Sequence, residues 1–142
     1  MGQSDLNDIL ETGQTGEKII RQYLKSISVD AIFQADWIVK YEGEYRLIEA
    51  KHQEVFTPPP FYGHGLPKWQ IDARLNFYHS TRIVPYLFVV EKSDYQSKEG
   101  HALIWHQSLI VLEISNYIDS RGNKPRRIYD IAGFKKTYFP IH

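Results

Sequence analysis

The chain has 142 residues, 42% of them hydrophobic, with 3 Trp, 10 Tyr and 7 Phe. That is enough apolar surface for one buried core, and it excludes intrinsic disorder for most of the chain. Seventeen Lys and Arg balance 17 Asp and Glu, which argues against polyanion binding through bulk charge but leaves room for a local basic surface. With no cysteine, disulfides, thiolate metal sites and a Cys nucleophile are excluded, and an intracellular, cytoplasmic setting is expected.

No apolar run approaches the roughly 18 residues needed to cross a bilayer; the best, Ile83 to Val90, is interrupted by Pro85. No membrane is expected. The opening MGQSDLND lacks a basic n-region, and Leu6 stands where a myristoylation motif takes Ser or Thr, so neither export nor a lipid anchor is expected. One domain over residues 1–142 is the simplest parse, with a core of about 15–106 and an extension over 107–142. From Thr15, a plausible N-cap, the string TGEKIIRQYLKSI places Ile19, Ile20, Tyr23, Leu24 and Ile27 at helical spacing. Residues 31–51 change to strand period, with β-branched and aromatic residues on both sides of a Glu42-Gly43 turn. His52 to Pro67 holds three consecutive prolines and two glycines and is expected to be a loop without regular structure, functional rather than idle. A second helix follows from Lys68 to about Ser80. Ile83–Glu91 is a nearly continuous apolar run, the mark of a strand covered on both faces, and Ala102–His106 is another strand. Beyond 107 the pattern is ambiguous: Leu109–Ile114 suits a strand or a short helix, SRGNKPRR is a loop, and the last ten residues suit a strand or a surface segment. The expected class is α/β, with a central mixed sheet flanked by helices.

The chemistry is most legible in Asp36 and Glu49-Ala50-Lys51. Residues two apart on a strand share a face, so Glu49 and Lys51 point the same way. A turn at Glu42-Gly43, carried along both strands, sets Asp36 opposite Glu49; a register one residue different would put it on the other face. Two carboxylates facing each other repel, and a divalent cation between them relieves the repulsion. Magnesium suits two carboxylates and waters, and it can polarise a phosphoryl oxygen and acidify a bound water. Lys51 is placed to orient or deprotonate that water, or to stabilise charge on the phosphate.

A helix carrying Glu17, Asp36 at the start of a strand, Glu49-Ala50-Lys51 in the next strand and Gln70 on the following helix together resemble the PD-(D/E)xK nuclease superfamily, within it the archaeal Holliday junction resolvases and related phage nucleases. The resemblance covers residues 15 to about 106, with Ala35 where the motif usually has Pro. It implies a restriction-endonuclease-like fold with an αβββαβ core and a Mg2+- or Mn2+-dependent deoxyribonuclease that hydrolyses phosphodiester bonds, endonucleolytic and structure-selective. It further implies that Asp36, Glu49 and the carbonyl of Ala50 bind the metal, that Lys51 assists the attacking water, and that Glu17 and Gln70 complete the catalytic set. The alternative is a non-catalytic module on the same fold that binds nucleic acid or a protein. Such a module would not need Asp36, Glu49 and Lys51 intact together.

A neutral protein must hold DNA through a local surface. Residues 121–136 carry Arg121, Lys124, Arg126, Arg127, Lys135 and Lys136 against Asp130 alone, and the helix after the loop adds Lys68 and Arg74. Phe56, Phe61, Tyr62 and Trp69 flank the site and suit stacking on bases. A branched substrate presents several duplex arms, which fits a symmetric homodimer. His52 and His64 match no metal-ligand spacing and are expected to be solvated.

Overall fold

The computed structural model describes residues 16–27, 31–33 and 38–141, with the backbone alone for 31–33. Helix α1 covers 16–26 and buries Ile20 and Leu24, four residues apart and so on one stripe, with Ile19, Tyr23 and Ile27 beside them. The expected cap Thr15 lies outside the described residues. Strands β1 (Ala31–Phe33), β2 (Ile38–Tyr41) and β3 (Glu44–Gln53) form an antiparallel meander. The β2–β3 turn is the two-residue one expected. Glu42 and Gly43 have φ of 50° and 80°, the left-handed pair whose twist matches the flanking strands. It sets Ile38 opposite Leu47 and Val39 opposite Arg46, the register read from the sequence.

Helix α2 (Lys68–Thr81) carries the chain over the sheet to β5 (Val84–Glu91), which lies parallel to β3; parallel neighbours require such a crossover. Strand β6 (His101–Ser108) turns back beside β5, and β9 (Lys135–Pro140) adds an edge to it. The mixed sheet therefore runs β1-β2-β3-β5-β6-β9. Strand β5 is central and covered on both faces, as its apolar run requires. Leu87 and Val89 pack with Ile71 of α2, Leu103 and Trp105, while Phe88 and Val90 pack with Ile20 and Leu24 of α1, Ile48 and Ile104. This is an α/β domain with a mixed sheet flanked by helices. Among the described residues no helix is long and apolar enough to cross a membrane.

The segment 52–67 departs from expectation. Strand β3 continues through Gln53, and Gly63–Pro67 is a strand, β4, which pairs with β8 (Arg126–Asp130) and, through it, with β7 (Tyr117–Asp119) in a second, three-stranded sheet. The glycines that read as loop residues are what permit the pairing. A Cβ on Gly65 would collide with the Arg127 carbonyl, and one on Gly63 with that of Tyr129. Only the excursion between Phe56 and Gly63, closed by their mutual backbone hydrogen bonds, carries the three prolines. The ambiguous extension resolves as well. Leu109–Glu113 is a short helix, α3, whose N-cap Ser108 accepts a hydrogen bond from the Val111 amide, and the last residues supply β9.

One group in the sheet sets a pH dependence. His106 of β6 stacks on Phe88 at 5.2 Å, and its Nε2 lies 2.9 Å from the Thr137 hydroxyl. Burial, with the Lys135 charge adding to it, pushes the His106 pKa from the usual 6.5 down to about 4. Between those values the unfolded chain binds a proton that the folded chain refuses, so stability is complete above pH 6.5 and declines as the pH falls toward 4. Urea denaturation at pH 7 and pH 5 should differ by roughly 1–2 kcal/mol, and His106→Phe should remove most of that difference. An unchanged difference in the variant would clear His106.

Candidate active site

Alternation along β3 turns Leu47, Glu49, Lys51 and Gln53 toward α2, and Ile48 and His52 toward α1. The parallel neighbour β5 continues the first face, because Glu49 lies beside Leu87, Lys51 beside Val89 and Gln53 beside Glu91. A polar row thus runs along the carboxyl half of β3 on an otherwise apolar floor.

Glu49 is the centre of that row. Its Oε1 lies 3.4 Å from Lys51 Nζ, and its Oε2 accepts hydrogen bonds from Arg74 Nε and Nη2 at 3.2 and 3.0 Å. The three side chains are 14%, 28% and 35% exposed for Glu49, Lys51 and Arg74, which leaves the cations reachable and the carboxylate sheltered. One carboxylate between two cations gives the cluster an excess of positive charge, suited to an anionic substrate. Arg74, expected as a DNA contact, is placed against the carboxylate. Gln70 sits one helical turn before it on the same side of α2, and its Oε1 is buried with no hydrogen-bond partner among the described residues. The carboxylate of Glu49 and an unpartnered amide oxygen are hard donors of the kind magnesium and manganese take. Among the described residues no group of three or more His, Asp or Glu is placed to hold an ion. Asp36 lies outside the described residues. Glu17 is exposed on α1, where Gly16 abuts His52, so the structure places it over the opposite face from Glu49. Ala50 lies between the two site residues, partly buried.

The row ends in a buried histidine–glutamate pair that the sequence did not announce. His64, expected in solvent, is fully buried on β4, with Nε2 at 2.8 Å from Glu91 Oε1 and Nδ1 at 3.2 Å from Gln53 Oε1. The Gln53 amide nitrogen donates to the Gly65 carbonyl, which fixes its oxygen toward the imidazole. Both ring nitrogens therefore face side-chain oxygens, one of Gln53 and one of Glu91. Glu91 also accepts from Trp105 Nε1, the amides of Val55 and Ser93 and the Ser93 hydroxyl. Burial raises its pKa, but the hydrogen bonds from His64 and Ser93 outweigh it and hold the carboxyl at about 2 instead of 4.5. The available signal was a charged residue closing an apolar strand.

The expected basic surface divides. Arg127 reaches bidentately to Asp119 through Nε and Nη2, at 2.8 and 3.0 Å, and to Glu113 through Nη1, tying α3 to β7. Tyr129 donates to the same Glu113 at 2.7 Å. Lys68 pairs with Asp72 at 3.5 Å, and Arg121 and Lys124 are exposed on the β7–β8 loop. Arg126 is partly buried and donates from Nη2 to the Gly65 carbonyl. Trp69 stands 69% exposed at the start of α2. Comparison with protein-family models, curated proteins and solved structures finds no match.

Proposed function

We propose that this chain is a divalent-metal-dependent deoxyribonuclease of the PD-(D/E)xK type on a restriction-endonuclease-like fold, acting within DNA and selective for branched or flapped substrates. One observation carries the reading: Glu49 and Lys51 stand side by side on the strand that opens the parallel crossover, with α2 bringing Arg74 onto Glu49 and Gln70 one turn away. A purely structural Glu–Arg pair has no use for a second cation at 3.4 Å or for an unpartnered amide oxygen one helical turn from the arginine.

Glu49, Asp36 and the Ala50 carbonyl would hold the ion, with Gln70 offering its unpartnered oxygen. When bound, a divalent ion supplies Lewis-acid polarisation of a phosphoryl oxygen. With an ion on the Glu49 carboxylate, the Arg74 fork would be available to phosphate. Lys51 holds the attacking water, or the charge that develops on the phosphate, from one strand step away.

The test is incubation with branched, flapped and linear DNA, with Mg2+, with Mn2+ and with EDTA. Cleavage that needs the ion and is strongest on branched or flapped DNA is expected. Binding without cleavage under every condition would favour the non-catalytic module.

A further inference from the structure

Arg126 is a partly buried cation whose guanidinium is incompletely satisfied. Arg127, the next residue, is fully committed to two carboxylates, and Glu49 holds Arg74. Arg126 has no carboxylate partner among the described residues. Its Nε is buried and without a hydrogen-bond partner, and its Nη2 reaches only a carbonyl, Gly65, at 3.3 Å. The ring of Phe56 lies 5.9 Å from its guanidinium carbon, a weak offset to its charge. Burial without a counter-charge pushes its pKa below the usual arginine value. A partly buried guanidinium with one donor left without an acceptor costs some stability, and an anion on its exposed side would offset the charge.

The position of Arg126 says which anion. The Gly65 carbonyl that it touches is also the acceptor for Gln53 Nε2 at 2.8 Å, so the two side-chain nitrogens lie within about 6 Å of each other. Gln53 follows Lys51 by two residues on the same face of β3, a strand step of about 7 Å. Strand β8, from outside the helix–strand core, thereby delivers a fork-shaped cation to the end of the Glu49–Lys51 row. Lys68, whose amide donates to the carbonyl of Pro125 just before Arg126, adds a charge on the outer side.

We propose that Arg126 is a phosphate seat: it receives, through the terminal Nη groups of its guanidinium, the phosphodiester neighbouring the one addressed by Glu49 and Lys51, and so sets the register of a bound DNA strand on the site. The proposal rests on the nuclease reading of that row, but binding can be measured apart from cleavage. Lys would be a poor substitute, because a point charge cannot make the paired contact of a planar guanidinium.

The experiment uses the full chain in EDTA with a fluorescein-labelled flapped oligonucleotide. Arg126→Gln should weaken binding about tenfold or more, the size of one charge-assisted contact. It should also flatten the salt dependence by about 0.9 ion equivalents. Arg126→Lys should restore the slope but only part of the affinity, and Lys98→Gln, an exposed charge on the β5–β6 loop, should change neither by as much. The melting temperature of Arg126→Gln should stay level or rise, because no internal ion pair is lost, whereas that of Arg127→Gln should fall. The 15N-edited Nε–H resonance of Arg126 should shift with micromolar oligonucleotide and not with inorganic phosphate at the same concentration. Wild-type affinity and slope in Arg126→Gln, a fall in its stability like that of Arg127→Gln, failure to fold, or saturation by inorganic phosphate alone would each overturn the seat. Should Arg126→Gln lose binding while the wild-type chain cleaves nothing with Mg2+ or Mn2+, the seat stands and the hydrolytic reading falls. Should the wild type cleave and Arg126→Gln bind and cleave equally well, the reverse holds.

Discussion

Alanine in place of Glu91 should destabilise the protein by roughly 3–5 kcal/mol, the cost of leaving several buried hydrogen-bonding groups without their shared acceptor. The carboxylate is 1% exposed at its side chain and accepts from His64, Trp105, Ser93 and Val55. Its removal strands a buried imidazole and an indole N–H, and it frees the turn after β5. Against a total stability of about 5–15 kcal/mol the loss is large, and urea denaturation at pH 7 measures it directly. Glu91→Gln keeps the shape and removes the charge, so it should recover part of the loss. The same pair shapes the acid limb. The stability contributed by Glu91 is complete above pH 4.5 and is lost as the pH falls through about 2, below the range in which His106 acts. A loss of under about 1 kcal/mol in Glu91→Ala would mean that water replaces the carboxylate.

Cleavage should fall by roughly 10²–10⁴-fold in Lys51→Ala, the span expected for loss of a group acting in proton transfer or on transition-state charge. Lys51 makes a single 3.4 Å ion pair with Glu49, and Arg74 still holds that carboxylate when the lysine is gone. Stability should therefore change by less than about 1 kcal/mol, which separates catalysis from folding. Single-turnover rates with flapped DNA should drop while affinity in EDTA moves little. Lys51→Arg should rescue poorly, because a permanently charged, planar group neither takes a proton nor fits the same space. Wild-type turnover in Lys51→Ala would remove it from the reaction.

What was legible in the sequence was what local chemistry decides. The Glu42-Gly43 turn fixes a register through its own backbone angles, and the alternation of β3 then puts Glu49 and Lys51 on one face without help from elsewhere. The apolar run of β5 announced a strand covered on both sides. The second sheet was not legible, because Gly63, Gly65 and Pro67 are loop-forming by composition and become a strand only when residues 126–130 arrive to pair with them. The burial of His64 followed from that same missed pairing. The roles of Arg126 and Arg127 differ for a reason of alternation: adjacent residues on β8 point to opposite sides, one toward Gly65 and the other toward Glu113 and Asp119. A run of basic residues reads as a single surface until the strand separates its members.

Gly65 and Arg126 meet although they stand 61 positions apart along the chain. During synthesis the Glu49–Lys51 row and the floor of Leu87 and Val89 emerge well before the strand that roofs them. For that interval His64 has no settled place, Tyr129 is missing from the apolar cluster around Ile71 and Leu112, and the nascent domain shows water a sticky, half-built face. Late, long-range pairing of this kind slows folding and invites association with holding chaperones. A fragment ending at residue 106 should be digested rapidly by proteases where the whole chain resists, and the time at which a ribosome-bound chain becomes resistant should follow the emergence of β8, not that of β3.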